Sequence, residues 1–514
     1  MSAEYVNDVP YVRQFVAELS PTRLRLVAAL NGLAPPQAVD FDYCELGCAH
    51  GDTLCALAAA YPRGRFLGID LSAVHVASAK RLARDGALEN IGVLERDLGS
   101  LVHEDLGTFD YIVAHGLLSW VSPEKRRAIL DFASAKLKPG GLLHVSYNAM
   151  PGWASIEPLR QLLLFGGAGE TSLERARGGL AFAQSMERAG AEYFANNPAA
   201  SRILETMTRA DLPYVVHEYL HEHWVPMYFA RVAWEMAGSD LHFVGVLPIH
   251  LNFRDTAIPE PQERLLAAVA DRVTFESLKD FAIDAFFRHD VYVKGPVRRE
   301  AAATNLYLDS TAWGTLANAP PDRIVKLPHR TMALEGATFD ALFAALAGGA
   351  RTLSSLASRG ALAAVGIEEL RSAMLRLIIA EHAVPMQTET RSVAASGDDL
   401  YSVPSVYNQT MLRRPSIDAP IVMASTVAGT AFPISALEGL AIRILTEVPS
   451  KDRDLWVHDL VERSVLRIRL GDRVLEGRAD QRRAILDAVE QLRAHRLAKL
   501  VELGILAPAA QGAP

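Results

Sequence analysis

Residues 41–51 read FDYCELGCAHG: a short strand-like run through Glu45-Leu46, then Gly47-Cys48-Ala49-His50-Gly51, in which glycines bracket a sharp turn. The apolar helix pattern TLCALAAAYP follows at once. Strand, glycine turn and helix make one unit, and the chain repeats that unit. RFLGID is a second strand ending at Asp70, and it leads into the helix LSAVHVASAKRLARDGAL. IGVLERD is a third, ending at Asp97, and FDYIVAH a fourth, ending near His115. A helix from about Pro123 to Leu137 comes next, and LKPGG then turns into a fifth strand, LLHVSYN. Strands alternating with helices predict an α/β fold with an open parallel sheet covered on both faces. Ligands of such sheets sit at the carboxyl ends of the strands.

Those ends carry the chemistry. Gly47 and Gly51 stand where the backbone must turn and come close to a ligand, with Glu45 just before them and Cys48 between. Asp70 follows Glu45 by 25 residues, with Leu71 beside it, and its carboxylate suits both hydroxyls of a ribose. Asp97, with Leu98 beside it, suits the amino group of an adenine. A dinucleotide site would ask for G-x-G-x-x-G, and this loop lacks the third-position glycine.

Glu-x-Gly, a ribose acid, a third-strand Asp and KPGG, in this order, resemble the class I S-adenosylmethionine (SAM)-dependent methyltransferases. The resemblance implies a Rossmann-like sheet with SAM as cofactor. It implies cofactor contacts from Glu45, Gly47, Cys48 and Gly51 on the first loop, and from Asp70, Leu71, Asp97, Leu98 and His115 on the later ones. A closer resemblance rests on Asp8-Val9-Pro10-Tyr11, on HGLLSWV from His115, on VSYNAMPGW from Val145, and on ASTVAGTAFPISALEGLAIRIL from Ala424. These stretches are similar to the bacterial methyltransferases that carry a methyltransferase regulatory domain. The best-understood members of that group are protein-lysine methyltransferases acting on outer-membrane proteins.

Composition fits a protein of this kind. The 514 residues allow two to four domains, half of them are hydrophobic and 22% are charged. A formal net charge of −8 gives no general reason to bind nucleic acid. The N-terminal residues show no signal-peptide pattern, and no apolar run approaches the ~18 residues that cross a bilayer. The three cysteines, Cys44, Cys48 and Cys55, cluster around the first turn and helix, where small thiols pack well. Without a secretory signal they point to the cytoplasm.

His217-Glu218-Tyr219-Leu220-His221 matches the His-Glu-x-x-His pattern of zinc proteases. His221 is followed by EHWVPMYF, which lacks the third histidine of a metzincin, and Glu235 is the nearest later carboxylate, 14 residues on. The related methyltransferases have H-E-Y-L-E here, with an acid in place of His221. No metal is expected. His217, Glu218 and Tyr219 fall in a helical insertion, about 153–237, which the topology places over the carboxyl edge of the sheet. They read either as lid residues facing the substrate or as a capped helix end.

The expected domains are a methyltransferase domain at 1–297 with that insertion, a linker at 298–328 and a regulatory winged-helix-like module at 329–390. A second linker at 391–430 and a C-terminal winged-helix-like module at 431–507 complete the chain. Winged helices often bind DNA, but Lys451 to Glu502 holds 12 Lys/Arg against 10 Asp/Glu, which is a solvated surface rather than a basic stripe.

The function expected is methyl transfer to a protein or peptide, with lysine Nε as acceptor. Catalytic candidates are His115, Trp120, Tyr147, Trp153 and Glu218, with Asn148, Tyr5 and Tyr11 nearby. AHGLLSW replaces the [Asn/Asp]-Pro-Pro-[Tyr/Phe] motif of enzymes that methylate nucleobase or glutamine amines. The alternatives are a small-molecule or peptide natural-product acceptor, and a SAM-binding regulator without turnover. The residues carry no signal for the oligomeric state.

Overall fold

Seven strands form one sheet in the order β3-β2-β1-β4-β5-β7-β6. They are β1 (Asp42–Leu46), β2 (Arg65–Asp70), β3 (Ile91–Glu95), β4 (Phe109–Ala114), β5 (Leu137–Asn148), β6 (Leu241–Leu247) and β7 (Phe287–Lys294). β1 to β5 are parallel, and only β7 runs against its neighbours β5 and β6. The molecule is seen as a computed structural model describing residues 8–9, 11–316, 323–392, 400–414, 421–463, 468–470 and 473–509. Tyr5, Pro10, Pro320-Pro321 and the end of the C-terminal tail lie outside the described residues.

Local chemistry starts the helices where expected. Helix α1 (Pro21–Leu30) has Ser20 as cap, and α2 (Asp52–Ala60) begins after Gly51 in a left-handed conformation. Ser72 and Ser122 each accept a backbone N–H at the start of α3 (Ala73–Asp85) and α4 (Pro123–Lys136). β5 begins earlier than expected. LKPGG is part of the strand, with Gly140 at φ +78°.

The insertion after β5 is helical. It holds α5 (Glu157–Gly166), α6 (Ser172–Arg188), α7 (Glu192–Asn196), α8 (Pro198–Arg209), α9 (Leu212–Tyr219) and α10 (Phe229–Ala237). Between β6 and β7 lie α11 (Arg254–Ala257), α12 (Glu260–Leu266) and α13 (Arg272–Ile283).

Under α10 and α13, one face of the sheet buries a charge network. Arg288 donates to Asp290 at 2.9 Å, Asp280 at 2.5 Å and Glu276 at 3.1 Å. Lys279 lies 2.5 Å from Glu276, and Arg272 closes the set at 3.3 Å from the same carboxylate. Three cations meet three carboxylates, so these buried charges balance.

The 298–328 stretch, expected as a linker, contains α14 (Ala301–Ser310) and the strand Ala312–Gly314. That strand pairs with Arg351–Thr352 and Val384–Met386, so it is part of the small sheet of the following module. Within 391–430 the structure has a helix, Val406–Leu412, and a hairpin, Ile421–Ser425 with Thr430–Ile434. This hairpin packs on α2. Thr22 Oγ1 donates to the Gly429 carbonyl at 2.8 Å, and Gln387 donates to the Ala60 carbonyl at 3.3 Å. Gly429 has φ +58°, and a Cβ there would lie 2.6–2.7 Å from Tyr61 Oη, Gln387 Nε2 and Thr22 Oγ1. Buried side chains of α1 and α2 continue without a break into those of the C-terminal half. Among the described residues, no helix is long and apolar enough to cross a membrane.

Candidate active site

β1 ends at Leu46, and the chain turns through Gly47 at φ +71°, Ala49 at φ +44° and Gly51 at φ +73°. The left-handed region favours glycine. At Gly51 a Cβ would also lie 2.6 Å from the Ala79 Cβ on α3, so this position admits no side chain. Asp70 fixes the loop from the next strand. Its Oδ2 accepts from Ala49 N at 2.8 Å, and its Oδ1 accepts from Ser72 N at 2.9 Å and meets His75 Nδ1 at 3.2 Å.

A groove of about 350 Å³ opens along the strand ends, within the size range of small-molecule sites. Its walls include Glu45, Gly47, Cys48, Asp70, Leu71, Asp97, Leu98 and His115. Gly51 lies at the start of α2, just behind. Leu71 is 55% exposed on the rim, an apolar surface awaiting cover. Burial pushes the Glu45 carboxyl up to about 8, helped by Asp70 and Asp52, and its Oε2 has no hydrogen-bond partner among the described residues. Partial burial works to raise the Asp97 carboxyl, but Lys125 and the Gly99 N–H outweigh it and hold it below the usual range.

The N-terminal segment forms the roof. Tyr11, Val12, Gln14 and Val16 line the groove. Arg13 pairs with Asp52 at 2.8 Å, and Val16 N donates to Thr53 Oγ1 at 3.0 Å. His217 Nε2 donates to the Val9 carbonyl at 2.8 Å, and Arg160 donates to the carbonyls of Tyr219 and His221 at 2.9 and 2.5 Å. The His-Glu-x-x-His stretch therefore braces the roof against the insertion. No group of three potential ligands is arranged to hold a metal among the described residues.

Two catalytic candidates lie away from the groove. Tyr147 is fully buried in the opposite face of the sheet, where its hydroxyl donates to Asp290 at 2.6 Å. Trp153 stacks on Phe286 with centroids 4.2 Å apart and donates from Nε1 to the Phe286 carbonyl. Neither lines the groove. Tyr147→Phe is expected to lower stability by about 1.5–3 kcal/mol, the worth of a hydrogen bond to a charged group, and to leave turnover of the folded enzyme unchanged. Denaturant unfolding together with a rate assay checks this.

The other candidates stay together. His115 lines the groove, sits 2.8 Å from Ser146 Oγ and stacks on His289 at 5.4 Å. Burial, with His289 beside it, pushes its imidazole down to about 3, so the ring is neutral. Trp120 lines the groove and donates from Nε1 to the Glu218 carbonyl at 3.2 Å. The Glu218 side chain is partly buried, one layer behind the groove, and accepts from Asn148 Nδ2 at 3.2 Å. Burial pushes its carboxyl up to about 8 against the opposing pull of Asn148. Tyr11 and Tyr214 lie beside it; burial, then the Glu218 charge, raises both hydroxyls to about 12. Among the described residues Glu218 has no ion-pair partner. Sequence reasoning missed Asp52, Lys125 and His50. His50 lies inside the quoted loop, but there the glycines drew the reading.

Comparison with known proteins agrees with this geometry. The family described as "Methyltransferase domain" matches residues 44–143, and "Predicted methyltransferase regulatory domain" matches residues 211–294, which include Glu218. The chain is 28% identical to the uncharacterized protein sll1526 of Synechocystis over 514 residues, 98% of this chain and 99% of that one. It is 31% identical to the uncharacterized protein RP028 of Rickettsia prowazekii over 228 residues, 43% of this chain and 90% of the relative. The structure of PKMT2 from Rickettsia typhi in complex with AdoHcy has the same fold, with a TM-score of 0.72 and 20% identity over 94% of this chain and 99% of that chain.

Proposed function

The chain belongs to the SAM-dependent methyltransferases that carry a methyltransferase regulatory domain, and on that premise we propose that its acceptor is the Nε amine of a lysine in a protein or peptide. The observation that carries this reading is Glu218. A carboxyl group without a cationic partner, next to Tyr11 and Tyr214 and one layer from the groove, suits an acceptor that arrives as a cation.

The groove fits the cofactor. Its glycine turn leaves room for close backbone approach, Asp70 stands at mid-groove for the ribose, and Asp97 with Leu98 forms an end suited to adenine. SAM supplies a methyl group on a sulfonium sulfur, already a good leaving group, so alignment is the main task of the protein. In this reading the lysine ammonium would give up its proton toward Glu218 by way of Tyr11, which lines the groove and lies beside that carboxyl. The nitrogen lone pair would then be free to form the N–C bond as the S–C bond of the bound donor breaks. Trp120 and Tyr11 wall the passage, and neutral His115 adds no competing charge. The three unpaired, buried cysteines fit a cytoplasmic enzyme. The modules after residue 329 serve packing and partner docking in this reading.

Asp70→Ala should weaken SAM binding about 10- to 100-fold, since a partly buried carboxylate contributes charge-assisted hydrogen bonds of that size. Titration calorimetry measures it, and unchanged affinity would remove Asp70 from the ribose site. For the acceptor, the purified protein is incubated with methyl-labelled SAM and host lysate, and the product is sequenced by tandem mass spectrometry. Methyl groups on lysine Nε are expected. Base-labile methyl esters or a labelled small molecule would overturn the lysine reading.

A further inference from the structure

Asp97 and Lys125 meet in the wall of the groove, the first just after β3 and the second in the first turn of α4. Their contact uses one carboxylate oxygen only. Asp97 Oδ1 accepts from the Gly99 N–H at 2.7 Å and also from the Lys125 ammonium. Oδ2 accepts from nothing among the described residues. Arg96 also lines the groove and is the neighbour of Asp97 in sequence, but its guanidinium is turned to Glu104 at 3.0 Å and to the Glu95 carbonyl at 2.8 Å. Among the described residues Lys125 is therefore the one cation on the Asp97 carboxylate.

The pair is too exposed to matter much for folding. The Lys125 and Asp97 side chains are 27% and 44% exposed, and an ion pair so wet contributes about 0–1 kcal/mol. What it does fix is direction. Two donors hold the carboxylate by Oδ1, and the other oxygen of this groove-lining residue is left as an acceptor without a donor. An ionised carboxylate has no proton of its own to give, so it takes an N–H and repels a carbonyl oxygen. We infer that Lys125 is a positioning residue of the cofactor site: by holding Asp97 through Oδ1 it leaves Oδ2 to accept from the exocyclic amino group of adenine. The groove thereby selects adenine over a purine that carries an oxygen at the same carbon. This rests on adenine lying at Asp97 and Leu98, as proposed for this groove, and is independent of the identity of the acceptor.

The test measures two ligands on the full chain by titration calorimetry. S-adenosylhomocysteine carries the amino group, and S-inosylhomocysteine carries an oxygen in its place. The unaltered protein should bind the first about ten- to a hundredfold more tightly, the worth of a hydrogen bond to a charged group. In Lys125→Met that preference should shrink about fivefold or more, through weaker binding of S-adenosylhomocysteine alone. Lys125→Arg keeps a donor on Oδ1 and should keep the preference. A preference that survives intact in Lys125→Met overturns the inference and leaves Asp97 on the base. No preference in the unaltered protein removes Asp97 from the base, and the inference falls with it. Equal losses for both ligands in Lys125→Met would assign Lys125 to the shape of the groove wall, and loss of the preference in Lys125→Arg as well would assign the effect to side-chain size. Either of these also overturns it, and an unchanged unfolding midpoint shows that the variants fold.

Discussion

Arg288→Met should cost at least about 3–5 kcal/mol of stability, the usual penalty for leaving buried charge without its partner. Arg288 is almost wholly buried and, among the described residues, is the one cation that touches Asp290, Asp280 and Glu276 together. Its removal strands Asp290, whose remaining contacts are the hydroxyls of Tyr147 and Tyr292. The same network sets an acid limit. Burial works to raise the Glu276 carboxyl, but Lys279, Arg288 and Arg272 outweigh it and hold the group at about 2. Its folded value lies below its unfolded one, so it contributes stability above about pH 4.5 and loses it as the pH falls toward 2. Denaturant unfolding at neutral pH tests the substitution, and a loss under about 1 kcal/mol would mean that water or a shifted Lys279 replaces the guanidinium.

Glu218→Gln should lower turnover by about 10²- to 10⁴-fold, the usual contribution of a positioned proton acceptor, with SAM affinity nearly unchanged. Glutamine keeps the size and the bond to Asn148 but takes no proton. The pH profile gives the sharper reading. Below about 8 the free enzyme holds Glu218 protonated, so kcat/KM should rise as the pH passes that value. In the variant that limb disappears, leaving only the rise set by the lysine itself near its ordinary pKa of about 10.4. A variant that keeps the limb near 8, or more than a tenth of the rate, would place proton transfer elsewhere.

The glycine turn and the strand ends beside the groove were legible because they are local. Glu45, Gly47 and Gly51 belong to one turn, and Asp70 and Asp97 fall at the ends of the next two strands. Each is placed by the strand that carries it. The acceptor side depends on which face of a strand points where. Tyr147 and Asn148 are neighbours on β5, and alternation sends one to the buried charge network and the other toward Glu218. Nothing in SYNAMPGW says which is which. Glu218 stood out through the His-Glu-x-x-His pattern and the place of the insertion over the sheet edge, although an acidic residue on a helix is ordinarily a solvated one. The strand Ala312–Gly314 was hidden for another reason: three residues carry too little periodicity, and their partners lie about 40 and 70 positions away.

The contact at Gly429 has a consequence for descent. Four stretches, at Thr22, Tyr61, Gln387 and Gly429, meet where even one methyl group added at Gly429 would collide with the other three. A C-terminal half borrowed from another lineage would have to arrive with a glycine at that position and with side chains already cut to the shape of α2. A change on either side of this seam is therefore met by side chains of the other side, and Gly429 is where the two are held to one shape.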